Sequence, residues 1–166
     1  MPIITNGDLK KIFLNLVDNH FVSLKRPNSI VLRFGKRAKR RLGSIWFDAP
    51  NHTSVITITG YLKNPLIPPI VLRAVIAHEL VHYFTGFGSS SEKKYEHAHR
   101  GQVIKKEMEE YNLLELYIES EKWIKNNWAN VVRKNSRYNN TILIKELKLS
   151  QLHKSLIEQR KQIMLL

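Results

Sequence analysis

Apolar and polar positions follow three different rhythms along this chain, and each rhythm predicts a different kind of element. Leu9, Ile12, Phe13, Leu16, Val17, His20 and Phe21 recur at helical spacing, with Thr5, Asn6 or Asp8 placed to cap the start. That spacing predicts an amphipathic helix laid on the core, in which His20 packs rather than reacts. After the break at Pro27-Asn28, three short runs read as strands: Ser29 to Phe34, Leu42 to Phe47, and Val55 to Thr59. In the last of these, Val55, Thr57 and Thr59 alternate with Ile56, Ile58 and Gly60, the period of a strand with unlike faces.

The third rhythm is an absence of polarity. Ile70, Val71, Leu72, Ala74, Val75, Ile76, Ala77, Leu80 and Val81 cover almost every side of a helical cylinder. Pro68 and Pro69 stand at its first turn, where proline is tolerated, and Gly86 and Gly88 supply a stop. A helix apolar all round is a core helix. Beyond it come a polar loop, Ser89 to Lys94, and an amphipathic helix with the stripe Ile104, Met108, Tyr111, Leu114 or Glu115, and Ile118. Trp123, Trp128, Val131 and Val132 continue the pattern less regularly. A loop is expected at 135–140 and a basic helix from about Ser150. No internal repeat is present. The order of elements predicts an α+β fold, divided into a domain at 1–120 and a basic, mostly helical extension at 121–166.

Embedded in the apolar helix is His78-Glu79-Leu80-Val81-His82. Side chains four apart on a helix lie one above the other, so the two imidazoles can share one zinc ion at roughly 2.0–2.1 Å. Glu79 is rotated toward a neighbouring face, from which it can reach a water beside the ion without ligating it. The bland alternative is a pair of hydrogen-bonded core histidines. A buried helix makes that alternative costly, because unpaired polar groups in low dielectric cost several kcal/mol. A catalytic zinc usually takes a third protein ligand. His99 stands four before Val103 and five before Ile104, beside the next apolar stripe, whereas His97 stacks on Gly101 off that stripe. His99 is the preferred third ligand and His97 the alternative. The metzincin pattern needs a glycine three residues after the second histidine, and Thr85 occupies that position.

Composition narrows the picture. At 166 residues, 43% hydrophobic and 25% charged, the chain fits one soluble globular domain. It has no cysteine, which excludes disulfides and cysteine-ligated zinc. The first residues do not read as a signal peptide, and no stretch approaches the roughly 18 apolar residues of a membrane span. A cytoplasmic or nucleoid-associated, non-secreted protein without membrane contact is expected. The formal charge of +13 points to a polyanionic partner, nucleic acid first. It is clustered, and the candidate contacts are Arg37, Lys39, Arg40 and Arg41 in one run with Arg133 and Lys134 in another. Trp123 and Trp128 are candidate base-stacking side chains.

Taken in order, these features resemble the SprT-like zinc metallopeptidases, the family of the Spartan and Wss1 DNA–protein crosslink proteases. The likeness covers roughly residues 8 to 115: the first helix, a strand, basic residues running into Arg41-Leu42-Gly43, the Ile56-Thr57-Ile58 strand, Tyr61-Leu62, and the His78-Glu79-Leu80-Val81-His82 helix. It ends in a downstream histidine-glycine element, here His99-Arg100-Gly101, with one more residue before the glycine than the family has. The resemblance implies a zincin-like domain, a small mixed sheet packed on the motif helix. It implies one catalytic zinc on His78, His82 and His99, with Glu79 as general base in peptide-bond hydrolysis. Protein or peptide substrates on single- or double-stranded DNA follow from it, with an extended substrate pairing beside the 55–59 strand at the sheet edge. Two other readings stand beside it: a nucleic-acid-binding protein with a structural or inert zinc site, for which 146–152 loosely suggests a helix-turn-helix, and a regulatory protease cutting a repressor.

Overall fold

In the computed structural model, which describes residues 3–134, the chain enters its first helix, α1 (Asn6–His20), through a reciprocal cap. The Asp8 N–H donates to Thr5 Oγ1, and the Thr5 N–H donates to the Asp8 carboxylate at 2.8 Å. Leu9, Phe13 and Leu16 are buried on one face of α1, while Lys10 and Lys11 are exposed. Phe21 follows the helix and stacks on Phe84 with ring centroids 5.0 Å apart.

Three strands form a mixed sheet: β1 (Ser29–Phe34), β2 (Gly43–Asp48) and β3 (Thr53–Ile58), in the spatial order β1-β3-β2. β1 runs parallel to β3 and β2 antiparallel to it. Ser54, Ile56 and Ile58 of β3 are fully buried and Val55 nearly so, while Thr53 and Thr57, on the same face as Val55, are half-buried. The expectation that 55–59 lies at the sheet edge is corrected here. β3 is central, and its near-continuous burial is that of a strand flanked on both sides. The edge beside the motif helix is β2.

α2 (Pro69–Phe84) begins at Pro68-Pro69 and ends at Thr85, and eleven of its residues are buried. It packs against β2 and β3, against α1 and against α3 (Val103–Glu110). The amphipathic stripe expected to run from Ile104 through Ile118 is broken. Asn112 adopts φ +57°, Leu113 N–H donates to Met108 O at 2.7 Å, and Asn112 N–H donates to Glu109 O. These bonds make a Schellman stop with Leu113 and Met108 both buried. A further helix, α4, starts at residue 114, which leaves Ile118 48% exposed and off the core stripe. The chain divides into two units, Met1–Asn126 and Asn127–Leu166, and residues 127–134 of the second are helical. The loop at 135–140, the basic helix and the 146–152 segment lie outside the described residues. Among the described residues, no helix is long and apolar enough to cross a membrane.

A buried polar knot ties the exit of α2 to the sheet. Asn28 Nδ2 donates to Ser54 Oγ at 2.8 Å, Ser54 Oγ donates to Gly88 O at 2.7 Å, and Asn28 Oδ1 accepts from Ser90 N–H at 3.0 Å. The Tyr83 hydroxyl, wholly buried, donates to Asn28 O and accepts from Asn28 N–H. Tyr83 is thus committed to packing. Tyr83→Phe leaves two backbone groups without partners and is expected to lower stability by about 1–3 kcal/mol. Denaturant unfolding measures the loss.

Candidate metal centre

α2 carries His78 and His82 one turn apart, and their Nε2 atoms face each other at 3.1 Å. A tetrahedral ion bound at roughly 2.0–2.1 Å sets its ligands roughly 3.3–3.4 Å apart, so this pair stands close to the edge length such an ion requires. The third imidazole comes from His99: its ring centroid lies 4.7 Å from that of His82 and 5.5 Å from that of His78. The three candidate ligand atoms all fall within 4.8 Å of one another. Three histidines therefore lie close enough to hold a metal ion. His97 is outside the group; its Nε2 is 3.4 Å from Glu96 Oε1, and its side chain is half exposed.

His99 reaches the cluster by a route that helical phase does not describe. It precedes a 3-10 turn, Arg100–Gln102, and both Gly101 (φ +66°) and Gln102 (φ +61°) are left-handed. α3 begins only at Val103, so His99 sits on the loop side of a kink rather than on the helix stripe. That loop is held at three points. Gly86 (φ +84°) and Gly88 (φ +94°) turn the chain away from α2, and Lys94 N–H donates back to Thr85 O at 2.9 Å. Nearer His99, the fully buried Glu107 of α3 accepts from Lys94 Nζ at 2.7 Å and from the Tyr95 hydroxyl on the same oxygen. A buried carboxylate bonded this way resists release, because separating it from Lys94 leaves an unpaired buried charge.

The electrostatics favour neutral imidazoles. Burial, helped by the neighbouring rings, pulls the His78 pKa down to about 3 and that of His82 to about 4. Neutral imidazole is the metal-binding form. His82 Nδ1 is buried without a hydrogen-bond partner, so the only polar contact of that ring is the nitrogen–nitrogen approach to His78. A cation between the facing Nε2 atoms would replace that nitrogen–nitrogen approach with two metal–nitrogen bonds, and the donor set fits one. All three donors are imidazole nitrogens, which suit a first-row transition metal rather than calcium or magnesium.

Glu79 lies beside the histidines, 5% exposed. Burial pushes its carboxyl up to about 7, against the pull of the Arg41 charge toward ionisation. Gly43, the first residue of β2, makes room for it. A Cβ added at Gly43 would meet Glu79 Oε1 at 2.4 Å and Val75 Cγ1 at 2.9 Å. A glycine in a strand often marks such a close approach, and Leu42-Gly43 carries that signal in the sequence. Both groups open onto a cleft of about 750 Å³, lined also by Ser44, Ile45, Lys93 and Tyr117. The Tyr117 hydroxyl is held above its usual pKa by burial and by the Glu121 charge, so it stays a donor. Tyr117 has no motif around it, and its place in the cleft follows from the chain reversal at Asn112.

Of the basic residues expected to touch nucleic acid, Arg40 and Arg41 line this cleft, whereas Arg37 and Lys39 do not. The Arg37 guanidinium instead lies over the Tyr61 ring, 5.8 Å from its centroid. Arg133 donates to Asn130 within the second unit, which also carries Lys134. Comparison with protein-family models, with curated proteins and with solved structures finds no match to this chain.

Gly43→Ala tests how tightly the carboxylate is seated. The atoms nearest the added methyl belong to Glu79 and Val75, so the capacity of the three histidines to take up a divalent metal ion is expected to hold while any activity that depends on Glu79 falls at least tenfold. Equal activity at equal metal content would separate Glu79 from the chemistry.

Proposed function

We propose that the chain is a zinc-dependent metallopeptidase of the SprT-like, zincin kind, acting on proteins associated with nucleic acid. The observation that carries the reading is the convergence of three imidazoles with a buried carboxylate on the adjacent helical position, at the floor of an open cleft. The sequence likeness described above adds support, with His78-Glu79-Leu80-Val81-His82 as its most specific part. His78, His82 and His99 would hold the ion. A zinc there supplies Lewis acidity, polarising a carbonyl and lowering the pKa of water toward about 7.

The remaining chemistry belongs to the chain's own side chains. Glu79, with a pKa near neutrality, accepts a proton from the attacking water and returns it to the leaving amine. Burial keeps competing solvent away from it. The edge of β2, whose Gly43, Ser44 and Ile45 line the cleft, offers backbone groups to an extended peptide by strand addition. Tyr117 is the phenol lining the same cleft and provides a hydroxyl toward charge developing on the carbonyl oxygen.

A structural zinc site in a nucleic-acid-binding protein is the competing reading, and mutation separates the two. Glu79→Gln is expected to retain one zinc per chain, measured by elemental analysis, while cleavage of an unfolded protein substrate drops by about 10²–10⁴-fold. His99→Ala is expected to weaken zinc binding, and His97→Ala to leave it unchanged. Undiminished turnover in zinc-loaded Glu79→Gln would remove Glu79 from the mechanism, and stoichiometric zinc without cleavage in the parent protein would favour the structural site.

The charge of +13 supports the nucleic-acid part of the proposal. Arg37 and Lys39 lie outside the cleft, with Arg133 and Lys134 further along the chain. Each phosphate neutralised on duplex DNA adds about 0.9 to the slope of log affinity against log salt, and about 0.7 on a single strand. Replacing Arg37 and Lys39 together by alanine is expected to lower that slope by about 1–2 in fluorescence titrations. Affinity that ignores salt between about 50 and 200 mM would exclude the electrostatic contact.

A further inference from the structure

Three cations and one open strand edge meet at the mouth of the cleft. Arg40 and Arg41 are exposed, and together with Lys93 they line the wall above Glu79 and the histidines. None of the three belongs to an ion pair among the described residues. Lys93 is held over the Phe87 ring, 5.5 Å from its centroid, and Phe87 in turn packs edge-on to His82. The acidic side chains lining the cleft are Glu79 at its floor and Glu121 on α4. Cations therefore dominate the wall, and their sign is opposite to that of the base they surround.

Arg40 and Arg41 stand immediately before β2, whose outer edge has no partner strand among the described residues. A peptide added to that edge runs past Gly43, Ser44 and Ile45 with its side chains alternating in direction. One of those side chains then comes abreast of the arginines. We propose that Arg40 and Arg41, with Lys93 on the same cleft, form a subsite for an acidic side chain of the substrate, aspartate or glutamate, next to the scissile bond. The inference rests on the peptidase reading and adds a specificity to it. One feature favours a peptide carboxylate over a nucleic-acid phosphate. A strand edge presents alternating donors and acceptors, which a peptide backbone satisfies and a phosphodiester, having no donor, does not. The guanidinium fork matches either anion in bidentate geometry, so the strand edge beside it decides between them.

The proposal divides one basic run between two tasks. Arg40 and Arg41 read the substrate inside the cleft, while Arg37 and Lys39 lie outside it.

Zinc-loaded protein and a set of internally quenched peptides of one length test this. Each position around a fixed core carries in turn Asp, Glu, Asn, Gln or Lys. At one position an acid is expected to raise kcat/KM about tenfold over its amide, the size of a single charge-assisted contact realised in the transition state. Arg40→Glu combined with Arg41→Glu is expected to invert that preference toward lysine at the same position, with zinc content unchanged. Equal cleavage of acid and amide peptides, or a preference that survives the charge reversal, overturns the subsite and leaves the peptidase reading intact. Failure to cleave any peptide overturns both. A short oligonucleotide that abolishes the acid preference competitively assigns the arginines to phosphate and also overturns it.

Discussion

Burying polar chemistry inside an apolar helix is the constraint from which the rest of this protein follows. α2 has no wet side along most of its length, so the position of every residue on it is fixed by packing against sheet and helices. His78, Glu79 and His82 are carried inward by that packing, and low dielectric then governs them. The imidazoles are held neutral and the carboxyl is held near neutrality, each for the same reason: burial penalises the charged form. A pair of neutral imidazoles close enough to share an ion and a carboxyl whose pKa lies near 7 both emerge from one placement. The cost of that burial must be met elsewhere, and the large apolar contribution of Ile76, Ala77, Leu80 and Val81, all fully buried, is where the offset lies.

Fixing one helix does not fix the third histidine. His99 lies on a loop, fourteen positions after Thr85 in sequence, and loops are mobile unless tied down. Here the ties are polar and buried. The Asn28–Ser54–Tyr83 knot holds the start of the loop to the sheet, and Glu107 holds Lys94 and Tyr95 near its end. Leaving this arrangement breaks those bonds and strands buried polar groups, which is costly. The exposed His99 is therefore positioned by groups that never touch it.

Much of this was legible in the sequence, and the failures have physical causes. The core helix, its proline entry and its glycine exit could be read because apolar periodicity and backbone chemistry agree there. The three strands and the capping threonine were legible for the same reason. The order of the strands was not: alternation in Val55 to Thr59 describes one strand's faces and says nothing about its neighbours, so β3 was expected at the edge and lies at the centre. Asn112 hid the end of α3, because asparagine tolerates a left-handed backbone without announcing it as glycine does. His99 was read from helical phase, yet Gly101 and Gln102 put it on a kink where phase has no meaning. Gly43 carried a usable signal, a glycine opening a strand, but the Glu79 carboxylate that needs the space is thirty-six residues away in sequence.

The placement of charge completes the synthesis. A basic run read along the sequence looks like one surface, because sequence proximity suggests a shared task. In three dimensions the run Arg37 to Arg41 straddles the turn that leads into β2, and a few residues of backbone separate the cleft wall from the outside. Long-range attraction depends on the summed charge and is indifferent to this division. Short-range recognition is not, since a guanidinium contributes strongly only where its partner is partly removed from water. The four basic residues of the run, Arg37, Lys39, Arg40 and Arg41, would on the proposed reading draw a polyanion through their total charge and discriminate among peptides through two of their number. Only the second role requires the arginines to stand beside an open strand edge, and Arg40 and Arg41 are the two that do.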